Sequence, residues 1–307
     1  MDTIYDVIIL GAGPAGLTAA IYAKRAELEV LVIEKGYVSG GQMLNTYEVD
    51  NYPGFKGIGG FDLGIKFKEH ADSFSANFVQ DDIISAEFNG KIKIIKGKKA
   101  VYKAKTVILA MGASHKQLDI VGEKELLGKG ISYCATCDGA FFKEKVTAVV
   151  GGGDVALEDA IYLSRICKKV YLIHRRNEFR AAKTLQTIVK NTDNIEIVTD
   201  TIINEIKGED VVESLLLENK LTKNKFELEV AALFVAVGII PQTNLEGDIP
   251  NVDEGGYIIA NEDTVTSIEG VFAAGDLRTK FLRQIVTAVS DGANAVSAVE
   301  RYLSSLE

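Results

Sequence analysis

The feature that most restricts the fold of this 307-residue chain is a strand–turn–helix–strand pattern that occurs twice. The first copy begins with YDVIILGAGPAG at residues 5–16, continues with the helical pattern LTAAIYAKRAELE, and ends with the strand LEVLVIE at 28–34. The second copy, KVTAVVGGGDVALEDAIYLSRICKKVYLIHRR, occupies residues 145–176. An apolar strand that runs into a glycine-rich turn and a helix is typical of dinucleotide-binding domains. The chain is therefore predicted to be an α/β protein with two Rossmann-like domains.

The two copies are in the same register. Gly151 follows Gly11 by 140 residues, and His174 follows Glu34 by 140 residues. In such turns, glycines permit a tight bend and a close approach of the backbone to a pyrophosphate, and the helix N-terminus offers N–H groups to the anion. Glu34 ends the second strand, where an acid accepts hydrogen bonds from ribose hydroxyls. We therefore expect each copy to bind a dinucleotide.

The copies differ at the end of the second strand. The first copy has Glu34, whereas the second has His174, Arg175 and Arg176, with Arg180 one helical turn further on. A carboxylate at this place repels a 2′-phosphate, whereas guanidinium groups can hold one with paired hydrogen bonds. The second copy is therefore predicted to bind NADPH, and the first FAD. A solvated basic patch is the alternative interpretation of HRRNEFR.

Two further stretches favour flavin in the first copy. SGGQMLNTYEVDNYPG at 39–54 is a glycine-rich loop whose amides Gln42 and Asn51 suit a polar ring. GVFAAGDLRTKFLRQ predicts a strand that ends in Gly275 and Asp276 before a helix. An acid there is placed to accept a hydrogen bond from a ribityl hydroxyl, although a Gly-Asp pair alone also serves as an ordinary helix cap.

SYCATCDG at 132–139 contains a C-x-x-C pair, Cys134 and Cys137. Such a pair can be a structural bridge, half of a metal site or a redox centre. The chain has three cysteines, and its three histidines lack metal-ligand spacing. In a reducing cytosol a disulfide is more often transient and catalytic. The favoured interpretation is a redox pair with no metal site, and Cys167 is expected to be a small buried apolar residue.

The bulk properties narrow the class of protein. A net charge of −9 argues against nucleic-acid binding. The N-terminal stretch MDTIYDVIILGAG lacks the basic region of a secretory signal. AALFVAVGII at 231–240, the longest apolar run, is shorter than the roughly 20 residues that span a membrane. We expect a cytoplasmic protein with no membrane or nucleic-acid partner.

The chain order predicts one discontinuous domain with a second domain inserted into it. The chain would pass between the two domains at the strands TVILAMGA (106–113) and ALFVAVGIIPQ (232–242). These stretches contain the turn-forming residues Gly112, Gly238 and Pro241. The predicted domains are an FAD-binding domain of residues 1–113 and 245–307 and an NADPH-binding domain of residues 114–244, which carries the C-x-x-C pair.

Taken together, the motifs resemble those of the low-molecular-weight, bacterial-type thioredoxin reductases of the class II pyridine nucleotide-disulfide oxidoreductase family. The motifs that carry the resemblance span the chain in the family's order: GAGPAG, SGGQM, CATCDG, GGGDVALE, HRRNEFRA and AAGDLR with RQIVTAVSDG. Met111 stands where the family usually has Thr, and Met43 stands where Leu is common; neither departure touches the chemistry. The resemblance implies a homodimer that reduces thioredoxin or a thioredoxin-like protein.

The resemblance also implies the roles of individual residues. FAD would be bound by residues of the first copy and of the loops assigned to flavin: Gly11, Gly13, Pro14, Ala15, Gly16, Glu34, Lys35, Gly41, Gln42, Asn51, Gly112, Gly275, Asp276, Arg283, Gln284 and Ile285. NADPH would be bound by residues of the second copy: Gly151, Gly153, Asp154, Ala156, His174, Arg175, Arg176 and Arg180. Cys137 would face the flavin, and Cys134 would attack the substrate disulfide through a mixed disulfide.

The combination of two nucleotide sites and a cysteine pair has a chemical reason. A disulfide accepts hydride poorly, whereas flavin takes hydride from NADPH and passes the electron pair to sulfur. Asp138, directly after Cys137, is the candidate acid/base for the thiolate that forms, and this role requires a carboxyl pKa raised by partial burial. A helix cap or turn acid is the alternative interpretation of Asp138.

The cysteine pair must meet both the flavin and a protein substrate, so we expect the inserted domain to rotate at Gly112 and Gly238. Three other enzymes remain as alternatives: a dithiol oxidase that uses oxygen, a ferredoxin-fed reductase, and a flavin-dependent NADP reductase of an electron carrier. The basic cluster argues against the first two, and the cysteine pair argues against the third. A non-enzymatic binding module would explain neither nucleotide site.

Overall fold

A computed structural model describes residues 3–46 and 48–306 and divides the chain into two units. The first unit comprises the described residues of Met1–Asn45, Tyr52–Ser114 and Ile240–Glu307, and the second those of Thr46–Asn51 and His115–Ile239. Three predictions include residues outside the described set: the N-terminal stretch includes Met1 and Asp2, the glycine-rich loop includes Tyr47, and the predicted FAD-binding domain also includes Glu307.

The first unit contains an eight-stranded sheet, and strands are numbered along the whole chain. Its strands are β1 (Ile4–Leu10), β2 (Val30–Glu34), β3 (Asn77–Gln80), β4 (Ile83–Glu87), β5 (Lys93–Gly97), β6 (Val101–Leu109), β17 (Glu246–Gly247) and β18 (Val271–Ala273). The order is β17-β4-β5-β6-β1-β2-β3, and β18 also pairs with β6. Strands β3, β2, β1, β6 and β18 run parallel, and β4 and β5 turn back as an antiparallel pair.

Residues 7–10 of strand β1 are buried and apolar on both faces because both faces of the sheet are covered there, as is usual for parallel sheets. Val7 and Ile9 pack into a core with helices α1 (Pro14–Arg25) and α6 (Ile285–Ser304). Ile8 and Leu10 point into a second core on the opposite face. The third helix of this unit is α2 (Gly60–Ser73), and the turn Gly41–Asn45 is a 3-10 helix.

The second unit repeats the parallel arrangement. Its main sheet has the order β11-β10-β9-β15-β8, with all neighbours parallel. These strands are β8 (Ile131–Ser132), β9 (Val146–Gly151), β10 (Lys169–Ile173), β11 (Ile195–Val198) and β15 (Ala232–Ala236). A separate antiparallel sheet contains β12 (Thr201–Lys207), β13 (Ser214–Asn219) and β14 (Lys225–Glu229). The helices are α3 (Ala135–Asp138), α4 (Asp154–Ser164) and α5 (Lys183–Lys190), and Gly139–Phe142 is a 3-10 helix.

The chain passes between the units within β7 (Ala113–His115) and within β16 (Ile239–Pro241), which form a two-stranded sheet. These crossings lie at 114/115 and 239/240, and the chain also enters the second unit at 45/46 and leaves it at 51/52. The predicted crossings are 113/114 and 244/245; the second differs because the chain pairs with β7 from Ile239 onward, as strand β16. The assignment of each unit to one cofactor stays a prediction.

The predicted α/β class with two Rossmann-like units is confirmed, but several strands are shorter than predicted. Strand β6 ends at Leu109 and not at residue 113, and β18 ends at Ala273, before the glycine and the acid. Glycines with positive φ follow these strands, at Gly112 (+71°) and Gly275 (+86°), a conformation that leaves the extended region. Arg180 lies in irregular chain and not one helical turn after Arg176, since α5 begins only at Lys183.

Candidate functional site

The glycine turn of the first unit is built by close packing. An added Cβ at Gly16 would lie 1.9 Å from the carbonyl oxygen of Gly11, so only glycine lets α1 approach the end of β1 this closely. Helix α1 begins with Pro14 after the N-cap Gly13, and its first turn contains no acidic residue. The positive end of the helix therefore faces the turn without a competing carboxylate, as an anion site requires.

The start of the glycine-rich loop, at Gly40 and Gly41, lies against this turn. An added Cβ at Gly41 (φ +60°) would lie 3.1 Å from the Cα of Gly13, so the structure brings these two predicted flavin residues together. Gln42 Nε2 donates a hydrogen bond to the carbonyl of Ala113. Asn51 is different: it belongs to the second unit, unlike the other described residues assigned to flavin.

Glu34 is tied to the glycine turn through the backbone. Its Oε2 accepts a hydrogen bond of 2.6 Å from the Ala12 N–H, and its Oε1 accepts one of 2.8 Å from the Gly36 N–H. A carboxylate oxygen accepts more than one hydrogen bond, so this geometry leaves capacity for a ribose hydroxyl. Neighbouring Lys35 is exposed and forms an ion pair of 3.3 Å with Asp82.

The turn after β18 meets the same helix end. An added Cβ at Gly275 would lie 3.1 Å from the Cβ of Ala15. Asp276 Oδ1 is buried and has no hydrogen-bond partner within residues 3–46 and 48–306. Burial raises the Asp276 pKa, and the charges of Lys280 and Arg283 oppose the rise. A buried acceptor that lacks a partner fits a ligand hydroxyl, so this cluster is suited to FAD.

The residues that follow Asp276 lead into helix α6. The guanidinium of Arg283 lies 4.0 Å from the ring centroid of Tyr257, and its Nε donates to the Asp276 carbonyl at 3.3 Å. Gln284 is the N-cap, whose side chain forms a reciprocal capping box with Thr287, and Ile285 is the first residue of the helix. The side chain of Gln284, a predicted flavin residue, therefore has a structural role as the cap of helix α6.

The glycine turn of the second unit has one packed side and one open side. An added Cβ at Gly151 would lie 2.4 Å from the carbonyl oxygen of Ala236 and 2.6 Å from the Cβ of Ala156. At Gly153, the N-cap of α4, an added Cβ would meet no described atom within 4 Å. The turn is thus packed tightly against the sheet and open on the side where a pyrophosphate would lie.

His174 lies beneath this turn. An added Cβ at Gly152 would lie 2.1 Å from the His174 ring, which is 6% exposed and stacks on Phe179. Its Nε2 lies 3.2 Å from the Glu178 carbonyl oxygen. Burial lowers the His174 pKa, with the charges of nearby arginines as smaller causes, so the imidazole is neutral at physiological pH.

The three predicted arginines, Arg175, Arg176 and Arg180, are exposed. They form no ion pair with an acidic residue in the part of the chain that the structure describes. The segment is fixed to the glycine turn, because the Arg180 N–H donates to the Gly152 carbonyl at 2.8 Å and the Ala182 N–H donates to Asp154 Oδ1 at 2.7 Å. Guanidinium groups without acidic partners beside such a turn suit the 2′-phosphate of NADPH.

Cys134 and Cys137 form a disulfide at helix α3, with Cys134 as its N-cap. The 3-10 helix that follows packs on α4, since an added Cβ at Gly139 would lie 2.9 Å from the Leu163 side chain. Cys167 is buried and carries a free thiol, as predicted. No group of three His, Cys, Asp or Glu residues suited to a metal ion occurs among the described residues.

Asp138 lies directly behind the disulfide. Its Oδ2 accepts a hydrogen bond of 2.5 Å from Ser132 Oγ, whose oxygen also accepts the Cys134 N–H at 3.0 Å. Its Oδ1 is buried and has no partner among the residues described. Burial raises the Asp138 pKa, and the Ser132 hydrogen bond opposes the rise. This is the environment that an acid/base role requires.

Sequence reasoning missed several polar residues at these sites. Ser132 could have been identified from the sequence, because it is a hydroxyl residue two positions before the C-x-x-C pair. The sequence gives a weaker indication of the buried cluster of Arg278, Lys280 and Asp291. The indication is a single acid, Asp291, among the small residues of helix α6. None of the helices described is both long and apolar enough to span a bilayer.

Comparison with known proteins agrees with this arrangement. Residues 5–292 match the family described as pyridine nucleotide-disulphide oxidoreductase. The thioredoxin reductase of Bacillus subtilis (strain 168) is 44% identical over 307 residues, which cover 100% of this chain and 97% of that protein.

Two crystal structures extend the comparison. The thioredoxin reductase from Streptococcus pyogenes MGAS5005 superposes with a TM-score of 0.94 at 43% identity, covering 99% of this chain and 100% of that one. The Lactococcus lactis thioredoxin reductase in its FR conformation gives a TM-score of 0.68 at 39% identity, covering 98% and 99%. The chain therefore belongs to the pyridine nucleotide-disulphide oxidoreductase family, and within it to the low-molecular-weight thioredoxin reductases of the bacterial type.

Proposed function

We propose that the chain is an NADPH-dependent thioredoxin-disulfide reductase, which passes electrons from NADPH through FAD and the Cys134–Cys137 disulfide to the disulfide of thioredoxin or a thioredoxin-like protein. The observation that carries the proposal is the disulfide with Asp138 behind it, in the same unit as the glycine turn flanked by arginines. Relatives named thioredoxin reductase along the full chain support the choice of partner.

The first unit would hold FAD, and the second would hold NADPH. The helix N-terminus at Pro14 would face the FAD pyrophosphate, Glu34 would accept from its ribose, and Asp276 would accept from a ribityl hydroxyl. Arg175 and Arg176 would bind the 2′-phosphate of NADPH, with Arg180 beside them. When bound, FAD accepts a hydride from NADPH and supplies an electron pair to a disulfide.

The chain's own residues then handle protons and sulfur. Reduction of the Cys134–Cys137 disulfide takes up two electrons and two protons and breaks one S–S bond. Asp138, protonated to a higher pH than an exposed aspartate, donates a proton to the nascent thiolate next to it and takes it back when the disulfide reforms. Ser132 orients the carboxyl through its hydrogen bond to Oδ2.

The reduced cysteine pair passes its electrons to the substrate disulfide by thiol–disulfide exchange. The Cys134 thiolate attacks one sulfur of the substrate disulfide, a mixed disulfide forms, and the second substrate sulfur leaves as a thiolate that takes a proton. The Cys137 thiolate then attacks the Cys134 sulfur. This step restores the Cys134–Cys137 disulfide and releases the substrate with both sulfurs reduced.

The cysteine pair has two reaction partners, and we propose that the second unit rotates on the crossings within β7 and β16 to meet them in turn. Gly112 (φ +71°) and Gly238 (φ +125°) lie at the crossings in conformations that favour glycine. The solved relatives support the proposal, because two of them at 43% and 39% identity give TM-scores of 0.94 and 0.68. Such a contrast between similar sequences is expected where rigid domains are arranged differently among relatives.

A homodimeric state and a cytoplasmic location complete the proposal. Both follow from the family resemblance, and a transient catalytic disulfide is consistent with a reducing compartment. Analytical ultracentrifugation of the purified protein tests the dimer, and a sedimentation coefficient of a monomer at cellular concentration would contradict it.

The decisive test is an anaerobic titration of the yellow, FAD-containing protein. NADPH should bleach the flavin absorbance, NADH should not at equal concentration, and oxidised thioredoxin should restore the colour.

Replacement of Cys137 by Ser should trap a covalent complex between Cys134 and thioredoxin, visible by mass spectrometry. The matched control Cys167→Ser should turn over normally, because Cys167 is buried away from exchange. A colourless protein, or one that NADH serves equally well, would refute the proposal.

A further inference from the structure

Charged side chains are buried beneath the turn formed by Gly275 and Asp276. Asp291, on α6, is 1% exposed, and its Oδ2 accepts hydrogen bonds of 2.8 Å from Arg278 Nε, Lys280 Nζ and the Gly275 N–H. Its Oδ1 accepts a fourth from Arg278 Nη2 at 2.6 Å. The side chains of Arg278 and Lys280 are 1% and 4% exposed. Asp291 therefore anchors the backbone of the turn and two cations at once.

The cluster has an unbalanced charge. Arg278 and Lys280 contribute two positive charges, and Asp291 contributes one negative charge. Glu262 also contacts Arg278 at 3.2 Å, but its side chain is 82% exposed, so water screens its charge. A buried charge without an opposite one is unfavourable. Asp276 directly follows Gly275, whose N–H is held by Asp291, and the ionisation of its carboxyl group would balance the two cations.

The surroundings of Asp276 set its charge state. Burial raises the Asp276 pKa, the charges of Lys280 and Arg283 lower it, and Asp291 raises it further. Tyr257, against which Arg283 stacks, is neutral at physiological pH because burial raises its pKa. Helix α1, against which the turn packs, has no acidic residue in its first turn. Lys280 and Arg283 are thus the cations that oppose burial, and Lys280 is the one held inside the protein by Asp291.

We propose that Lys280 is a positioning residue for the flavin dinucleotide: its ammonium, fixed on Asp291 inside the protein, keeps the buried side chain of Asp276 as a carboxylate that accepts a cofactor hydroxyl. The inference rests on the proposed FAD site of the first unit. An ionised carboxyl accepts hydrogen bonds with both oxygens, whereas a protonated one turns one oxygen into a donor. The Oδ1 atom of Asp276, which lacks a partner among the described residues, is the acceptor that Lys280 preserves.

The test is the pH dependence of FAD binding to the full-length protein, followed by the fluorescence of released flavin. FAD affinity should fall as pH falls through the pKa of Asp276, because the bound hydroxyl needs the carboxylate. Lys280→Met removes the opposing charge and should move the midpoint of this fall to higher pH by on the order of one unit. Lys280→Arg keeps the charge and should leave the midpoint near that of the unmodified protein.

Two further variants separate this role from a structural one. Asp276→Asn cannot ionise, so in that background Lys280→Met should produce no shift of the midpoint. Lys93→Met removes another buried ammonium of the same unit, 2% exposed and bonded to the carbonyls of Phe88 and Gly90. It should lower the melting temperature without moving the midpoint.

The inference is overturned if Lys280→Met and Lys93→Met weaken FAD binding alike at every pH, or if the Lys280→Met shift persists beside Asp276→Asn. Either result would make Lys280 a structural residue only, while FAD binding itself and the proposed reductase function would stand. An unmodified protein that binds no FAD at any pH would instead refute the proposed function, together with the inference that rests on it.

Discussion

Ser132 Oγ donates a 2.5 Å hydrogen bond to Asp138 Oδ2, across the segment that contains Cys134. The second oxygen of Asp138 is buried and has no partner among the described residues. One oxygen is therefore held in place, and the other is placed to exchange a proton. The two effects on the Asp138 pKa have opposite signs, with burial the larger.

Asp138→Asn should slow the reduction of the disulfide by about 100-fold or more, the usual contribution of a positioned acid/base group. FAD content should not change, because Asp138 and the proposed flavin residues lie in different units, with Asn51 as the exception. Rapid-mixing kinetics of the reductive half-reaction measure the effect. Kinetics equal to those of the unmodified protein would exclude Asp138 as the acid/base.

The same substitution should stabilise the oxidised protein at neutral pH. The folded-state pKa of Asp138 lies above the unfolded value, so its contribution to stability is present below the unfolded pKa and is lost as pH rises through the folded pKa. Asparagine does not titrate and avoids this loss. Melting temperatures of the two proteins should diverge as pH rises, and parallel curves would contradict the raised pKa.

Ser132→Ala should shift the pH–rate profile. The Ser132 hydrogen bond is the feature that lowers the Asp138 pKa, so its removal should move the alkaline limb of the profile to higher pH. Ser164→Ala is the matched control, because Ser164 Oγ donates to the Ile161 carbonyl on α4 and not to a carboxyl group. If both variants have the same profile as the unmodified protein, the hydrogen bond has no influence on proton transfer.

Glu34→Ala should weaken FAD binding by at least about tenfold, because two hydrogen bonds between its carboxylate and the glycine turn are lost and each is worth about 1.5–3 kcal/mol. Glu29→Ala, an exposed residue just before the start of the same strand, is the control. Equilibrium titration with FAD distinguishes the two. Equal affinities for both variants would show that the Glu34 carboxylate does not organise the site.

Replacement of Arg175 and Arg176 by Ala should raise the KM for NADPH by about tenfold or more, since charge-assisted hydrogen bonds to the 2′-phosphate are lost. The kcat at saturating NADPH and the KM for NADH should change little. Arg165→Ala, at the other end of α4, is the control, because Arg165 is exposed and far along the helix from the turn. A similar rise in KM for both coenzymes would argue against 2′-phosphate recognition.

Alanine substitutions at the crossings test the rotation. An added Cβ at Gly112 or Gly238 meets no described atom within 4 Å, so the effect comes from φ alone. The φ of +71° at Gly112 is near the left-handed region and costs about 1–2 kcal/mol for alanine, whereas +125° at Gly238 lies outside it. Gly238→Ala should therefore slow thioredoxin turnover more than Gly112→Ala does.

The control for these variants is Gly128→Ala, which has a φ of +75° and is equally open but lies away from the crossings. Steady-state turnover with thioredoxin, compared with single-turnover flavin reduction, separates domain motion from chemistry. If Gly128→Ala reduces turnover as much as Gly112→Ala does, backbone strain in general and not rotation at the crossings is responsible.

The strand–turn–helix pattern made the fold predictable because its requirements are local. Gly16 is glycine because of a 1.9 Å approach within the same turn, and a sequence shows such a need directly. Asp138 was accessible for the same reason, since it is adjacent to Cys137. The end of β6 at Leu109 was not, because TVILAMGA stays apolar beyond the point where the backbone leaves the sheet.

Residues that act through distant partners were beyond the sequence. Asp291 meets Lys280 and Gly275 only after α6 packs on the sheet, and no spacing rule connects them. His174 was grouped with the arginines that follow it, yet its ring is buried beneath Gly152. The register of the second copy gave its position correctly but gave no information on whether the side chain points outward.

The burial of Cys167 has a practical consequence for following the enzyme. This residue is 5% exposed, and burial raises the pKa of its thiol, so it offers neither access nor thiolate to an alkylating reagent. Maleimide labelling of the native protein should therefore count zero sulfhydryls in the oxidised form and two after reduction. The oxidation state of the Cys134–Cys137 pair can therefore be determined by mass spectrometry of the labelled, unsubstituted protein. Cys167 does not have to be replaced first.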